Sequence, residues 1–385
     1  MIKKTFYTTV TLLLSVALGF LLWLIAFDGA EKLTDDTALP EKPAYTESNF
    51  YYENLDDTEK IAYELIMAEI ENLPEKIQIP QLDDEELSKV FEALLYNNPT
   101  YFFLADNCKT ETTRVGKCYF VPEYSMTAFE YIKDMKELEQ VKNELFAELE
   151  NFADEFEKER IIHDYVTEKC EYIEKTGGTY SSLYGCLVNG ESSCEGYAKA
   201  MKYLLDECGI ENYLAVGTTE DEKRAVQGHA WNIVKIDGEY YHLDATWDDT
   251  EKDSAPNRYA YFNITDEEIR VTHNVEERFL GRCKTNDNNY YVRKSLFFSD
   301  YDSQVRSAVS SELASQAILG NNFVSFKMSD KDSLKEAEEE LFEMNGIYGI
   351  IILADTLTSQ PLTKDKIMYA IDEKHNIIII TDFAE

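Results

Sequence analysis

Basic residues are scarce in this chain: 37 Lys and Arg stand against 74 Asp and Glu, a formal net charge of −37. A field of that sign repels polyanions, which excludes nucleic acid and anionic lipid surfaces as partners. Metal-binding cysteine patterns are missing as well. The 7 cysteines include no C-x-x-C pair and no His/Cys cluster of zinc spacing, so a metal site is not indicated. Internal repeats and low-complexity tracts are absent, which argues against a solenoid or a disordered polymer. Tryptophan occurs at only three positions, 23, 231 and 247.

What is present is enough apolar material, 44% of 385 residues, to build two or three cores. Residues 5–27 carry no charge, follow Lys3 and Lys4, and match the length of a bilayer-crossing helix. They imply a single-pass signal-anchor over 1–30 in the cell membrane, with the globular part extracytoplasmic. A cleaved signal peptide is the competing reading; the length of the run and Asp28 tell against it. No cysteine directly follows the segment, so a lipoprotein anchor is not supported. Residues 31–50, acidic with Pro40 and Pro43, read as a linker. On the outer side of a membrane an odd cysteine count leaves at least one thiol unpaired. Cys108 and Cys118 are either a hairpin clip or two buried free thiols.

A mainly helical lead-in is expected over 51–155. Ile61, Leu65 and Ala68 recur at helical spacing, as do Leu87, Val90, Phe91, Leu94 and Leu95, and Asn98-Pro99 ends the second helix. Within it, 101–124 reads as two short strands, and helix resumes over 126–170. The last part, 291–385, reads as a small α+β domain. Its expected elements are helix 303–317, strand 323–326, helix 333–344, strand 347–353 and two strands around 373–376.

Chemistry is concentrated between these parts, over 156–290. Ser192-Ser193-Cys194-Glu195 has the form of a capping box, which predicts a helix start. Cys194, Tyr197, Ala198, Met201, Leu204, Leu205 and Cys208 then fall three or four apart, and Gly209 stands where a left-handed cap is wanted. Cys194 therefore lies in the first turn, where the positive end of the helix favours the nucleophilic thiolate.

Downstream, two alternating runs flank Asp237-Gly238, a favoured two-residue hairpin turn. Pairing Ile236 with Glu239 sets His229 opposite Thr246 and Trp231 opposite Asp244. His229 and Asp244 then become diagonal neighbours on one face, about 7 Å apart at Cβ and within hydrogen-bond reach. A carboxylate so placed would hold the imidazole in one tautomer and stabilise the imidazolium formed when it takes a thiol proton. His163 reads as a helix-packing histidine, and His242 as a residue filling space on the His229 face. Asp248, Asp249 and Asp253 match no calcium loop and read as a solvated turn.

G-E-S-S-C-E-G-Y-A (190–198), G-H-A-W-N (228–232) and Y-H-L-D-A-T-W (241–247) together resemble the Cys, His and Asp boxes of the bacterial transglutaminase-like core. The likeness is direct over about 160–265 and weaker in E-K-E-R-I-I-H-D-Y-V (157–166). It implies an α+β fold with a papain-like core, in which a cysteine helix packs on an antiparallel sheet bearing His and Asp. It further implies Cys194 as nucleophile, His229 as base and acid, and Asp244 as the orienting group. The Cys194 N–H would serve the oxyanion hole. Animal transglutaminases use an upstream tryptophan as a second donor; none stands upstream here except Trp23, and Tyr184, in L-Y-G-C-L-V, is a candidate substitute or a packing aromatic. The function so implied is acyl transfer or hydrolysis on protein or peptide amides, chemistry that requires no cofactor. The alternative is a non-catalytic surface binding or scaffolding module of the same fold.

Overall fold

A computed structural model describes residues 49–221, 224–249, 259–363 and 366–384. These fall into two compact units, one of residues 49–97 with 104–126 and one of 98–103 with 127–384.

The first unit opens with helix α1 (Asp57–Glu69), started by a true capping box. Asp56 accepts the amides of Thr58 and Glu59 while the Glu59 carboxylate returns to the Asp56 N–H. Strand β1 (Ile77–Ile79) and helix α2 (Asp84–Asn97) follow, and α2 stops before Pro99 as its sequence requires. Strands β2 (Leu104–Thr112) and β3 (Cys118–Tyr124) complete a three-stranded antiparallel sheet of order β1-β3-β2. Cys108 lies opposite Pro122 and Cys118 opposite Thr112, so the two thiols are not cross-strand partners and both are free.

The second unit begins with helices α3 (Ala128–Leu149) and α4 (Glu155–Lys169). A short parallel pair, Glu171–Tyr172 with Glu191–Ser192, leads into helix α5 (Cys194–Glu207). Strands β4 (Asn212–Asp221), β5 (Arg224–Ile236), β6 (Glu239–Leu243) and β7 (His273–Val275) form an antiparallel sheet of order β6-β5-β4-β7. Helix α5 packs on this sheet through buried Tyr197, Ala198, Met201, Leu204 and Leu205. The mixed α+β expectation, a cysteine helix on an antiparallel sheet, is met.

A second sheet closes the chain. Strand β8 (Phe297–Phe298) runs parallel to β9 (Phe323–Met328), and β10 (Met368–Asp372) and β11 (Ile377–Thr381) complete the order β8-β9-β11-β10. Its helices are α6 (Ser303–Leu319), α7 (Lys331–Glu338) and α8 (Ile347–Leu357). Helix α8 corrects the strand expected over 347–353. Its buried residues, Ile347, Ile350, Ile351 and Ala354, recur at helical spacing, a period that a continuous apolar run conceals.

The expected membrane anchor is also corrected. Among the described residues no helix is long and apolar enough to cross a membrane. The longest, α3, has 22 residues but carries Glu, Asp or Lys in every turn. Residues 5–27, on which the anchor, the cell-membrane location and the extracytoplasmic placement rested, lie outside the described residues.

Candidate active site

Helix α5 starts differently from its sequence signature. The N-cap is Ser193, in extended conformation with φ −81° and ψ 174°, and its side chain makes no capping bond. The Tyr180 carbonyl competes for it, accepting the Ser193 hydroxyl at 3.1 Å, the Ser192 hydroxyl at 2.7 Å and the Ser193 amide at 2.8 Å. Glu195 turns instead to Lys199, 2.7 Å away one turn on. The capping box therefore does not form. Cys194, half-buried, is the first helical residue, so its N–H has no intrahelical acceptor and sits at the positive end of the helix.

The β5–β6 hairpin has the expected turn, with Asp237 at φ 51° and Gly238 at φ 89°. Its register is also as expected, from Ile236 opposite Glu239 to Asn232 opposite Leu243. There β6 ends: the Asp244 amide donates to the Tyr261 carbonyl at 3.1 Å, and the chain turns into a short helix, Ala245–Asp248. The ladder pairs expected for His229 and Trp231 do not form, yet the side chains meet. Asp244 caps the short helix with Oδ1, which accepts the amides of Thr246 and Trp247 at 3.0 and 3.2 Å. Its Oδ2 lies 2.6 Å from His229 Nε2. Cys194 bears on the same imidazole, whose Nδ1 is the nitrogen not engaged by Asp244. Asn232 ties the two elements together, donating from β5 to the Ala198 carbonyl of α5 at 3.0 Å.

Burial works against charge on His229, but the Asp244 carboxylate and then Cys194 outweigh it and raise the imidazole to about 10. Burial likewise opposes the Asp244 charge, and His229 with His273 reverses it, holding the carboxyl well below the usual range. His273, on β7, was not singled out from sequence. Its Nε2 lies 3.0 Å from the same Asp244 Oδ2, and burial holds it below the ordinary histidine value despite that carboxylate. Trp231 stacks on His229 with ring centroids 5.8 Å apart, and Trp247 lies against both His229 and His273.

The other sequence candidates go elsewhere. The Tyr184 hydroxyl donates to Glu137 at 2.5 Å and its ring stacks with Phe102. His163 is buried and bonded to Asp248 at 3.2 Å, and Asp248 also accepts the Tyr261 amide, so it is not a solvated turn residue. Asp249 receives the Tyr197 hydroxyl, and Asp253 lies outside the described residues.

Among the described residues, two groups hold ligand-type atoms within 4.8 Å of one another: His229, Asp244 and His273, and His242, Asp266 and Cys283. Ligands of a tetrahedral ion with bonds of 2.0–2.2 Å would stand about 3.3 Å or more apart. The 2.6 Å between His229 and Asp244 is a hydrogen bond too short to admit one. At His242, Nδ1 accepts the Trp231 indole N–H at 3.0 Å, so the ring proton sits on Nε2 and points to Asp266. That nitrogen has no lone pair to offer.

Residues 143–245 match the model of the Transglutaminase-like superfamily. No curated protein matches the chain. Among solved structures, a TGase is 15% identical with a TM-score of 0.28, the alignment covering 46% of this chain and 52% of the other. A candidate cysteine protease from Cytophaga hutchinsonii is 12% identical with a TM-score of 0.25, over 36% of this chain and 61% of the other. A candidate protease from Parabacteroides distasonis is 15% identical with a TM-score of 0.24, over 36% of each chain. The chain thus spans about half the length of the first and less than two thirds of the others. Over 143–245 it carries a domain of the transglutaminase-like superfamily.

Proposed function

We propose that this protein is a cysteine enzyme performing acyl transfer or hydrolysis on protein or peptide amides through Cys194, His229 and Asp244. The observation that carries the reading is the buried 2.6 Å bond from His229 to Asp244, with Cys194, at an uncapped helix N-terminus, close enough to influence the same imidazole. In the proposed cycle the Cys194 thiolate attacks the amide carbonyl, and its N–H helps hold the oxyanion. His229, kept protonated by Asp244, gives its proton to the departing nitrogen. The acyl-enzyme is then resolved by an amine or by water, with His229 accepting the proton of the incoming group. Tyr184 is left out of this chemistry, because its hydroxyl is engaged by Glu137.

The test is the pH dependence of Cys194 alkylation by iodoacetamide, read by mass spectrometry in the wild type and in His229→Ala. Fast labelling below pH ~8.5, the ordinary cysteine range, that is lost in His229→Ala is expected. Equal, slow labelling in both would refute the reading and leave a binding module of the same fold. Incubation with casein and a labelled amine separates the outcomes: incorporation marks transfer, and cleavage or ammonia release without incorporation marks hydrolysis.

A further inference from the structure

His273 is buried, stands 29 positions beyond Asp244 in the chain, and takes no part in the cycle above. Its hydrogen bonds leave it one protonation pattern. The Tyr261 hydroxyl donates to Thr272 Oγ1 at 3.2 Å, and the Thr272 hydroxyl lies 2.9 Å from His273 Nδ1. Were Nδ1 protonated, the Nε2 lone pair would face the Asp244 carboxylate at 3.0 Å, oxygen against nitrogen with no proton between them. The neutral ring therefore accepts from Thr272 at Nδ1 and donates Nε2–H to Asp244. With His229 on the same Oδ2 and two amides on Oδ1, the carboxylate receives four N–H groups and has no freedom to rotate.

We infer that His273 is a positioning residue for the proposed reaction: it fixes Asp244 in place and takes a share of its pull, so that His229 is aligned on Cys194 yet still able to release its proton. The inference rests on the Cys194–His229–Asp244 reading. The charged and titratable groups facing this network include Cys194 from α5, His229 from β5, His242 from β6, Asp244 and Asp248 at the two ends of the short helix, and Tyr261, whose ring packs on His273. Losing the His273 donor leaves Asp244 to one imidazole alone, which tightens that bond. The imidazolium then gives up its proton at a higher pH.

The experiment is a pH titration of the full chain labelled with ¹⁵N-histidine, in the wild type, His273→Phe and His273→Gln. Phenylalanine keeps a ring between Trp247 and Trp231 without a donor; glutamine keeps an N–H donor without the ring. The expected result is a rise of about one pH unit in the His229 midpoint in His273→Phe, the weight of one hydrogen bond to a charged group, and a return toward the wild-type midpoint in His273→Gln. A packing role would be rescued by Phe rather than Gln and would leave the midpoint unmoved, which overturns the inference. Should His273→Phe not fold, the wild-type spectrum decides: His273 neutral with its proton on Nε2 supports the inference, and a cationic or Nδ1-protonated ring overturns it. Failure of the underlying reading shows separately, as wild-type Cys194 labelling indifferent to His229→Ala.

Discussion

The substitution Asp244→Asn removes the charge that holds His229 protonated and changes almost no volume. In the folded protein His229 is raised from an ordinary 6.5 to about 10, or roughly 3.5 pH units, equivalent to about 5 kcal/mol in favour of the imidazolium. A raised histidine stabilises the fold fully below its unfolded value and loses that contribution as pH climbs through the folded value, here between 6.5 and about 10. The loss cannot exceed ~1.36 kcal/mol per pH unit, so about 2.5 kcal/mol of wild-type stability should disappear between pH 7 and 9 on account of His229. In Asp244→Asn burial acts without its main opponent, the ring is neutral at pH 7, and this part of the slope vanishes. At pH 7 the variant should be less stable by about 3–5 kcal/mol, the usual consequence of breaking a buried pair.

Urea unfolding followed by tryptophan fluorescence is suited to the measurement. Trp231 and Trp247 both touch His229, and residues 49–97 and 104–126 contain no tryptophan, so in a Trp23→Phe background the signal reports the surroundings of His229. Other titrating groups, such as His163 and Glu159, are common to both proteins and cancel in the difference. The stability gap between wild type and variant should therefore shrink by about 2.5 kcal/mol from pH 7 to pH 9. A gap that stays constant over those two units would refute the electrostatic account of the pair, however large the gap itself.

Three further outcomes follow from individual contacts. Asn232→Leu removes the bond from β5 to the Ala198 carbonyl, and should cost about 1–3 kcal/mol in the same unfolding assay and slow Cys194 alkylation. Gly217→Ala places a methyl 2.4 Å from the Asn274 carbonyl oxygen, where β4 meets β7, so the backbone must move; a loss of about 1–3 kcal/mol and a displaced His273 ¹⁵N resonance are expected. Glu159 is raised by burial to about 8 despite the Asn263 amide, so it folds protonated and costs stability as pH rises from its unfolded range through 8. Glu159→Gln cannot ionise, and should overtake the wild type in stability by up to about 5 kcal/mol at pH 9, with no such advantage at pH 5.

The parts of the site legible in the sequence are those that rest on local periodicity. Alternation on both sides of Asp237-Gly238 sets the hairpin register, and the three-to-four spacing after Cys194 marks the helix itself, although α5 is buried all round from Gly196 to Leu205 rather than on one face. What failed or was missed depends on partners distant in the chain. Ser192 and Glu195 have capping-box spacing, but the Tyr180 carbonyl, twelve residues earlier, captures the serine hydroxyls. His273 sits in Val-Thr-His-Asn-Val, an alternation that marks a short strand. Nothing in that pattern says the strand joins β4 at Gly217, the step that brings its imidazole to Asp244. The Ile347–Leu353 run defeats pattern reading for another reason: an apolar stretch with no polar phase fits either period, and only packing decided for helix.

The two buried aspartates of the short helix show what sets charge at this site. Asp244 and Asp248 stand at its two ends, both are buried, and each is paired with a buried histidine. Burial alone would move both carboxyls up, yet Asp248 is raised to about 6 while Asp244 is driven well below the usual range. The difference lies in donors. Asp248 has His163 and the Tyr261 amide; Asp244 has His229, His273 and two helix amides. His163 is raised to about 9 against its burial by Asp164 and then Asp248, and since Asp248 is itself made costlier to ionise, the His163–Asp248 pair comes near break-even, as buried ion pairs commonly do. At His229–Asp244 both partners shift toward their charged forms, and the added donors supply the margin. The charge that would activate Cys194 therefore depends on the number and aim of N–H groups converging on one carboxylate, and the neutral His273 is the one among them contributed by a strand outside the hairpin.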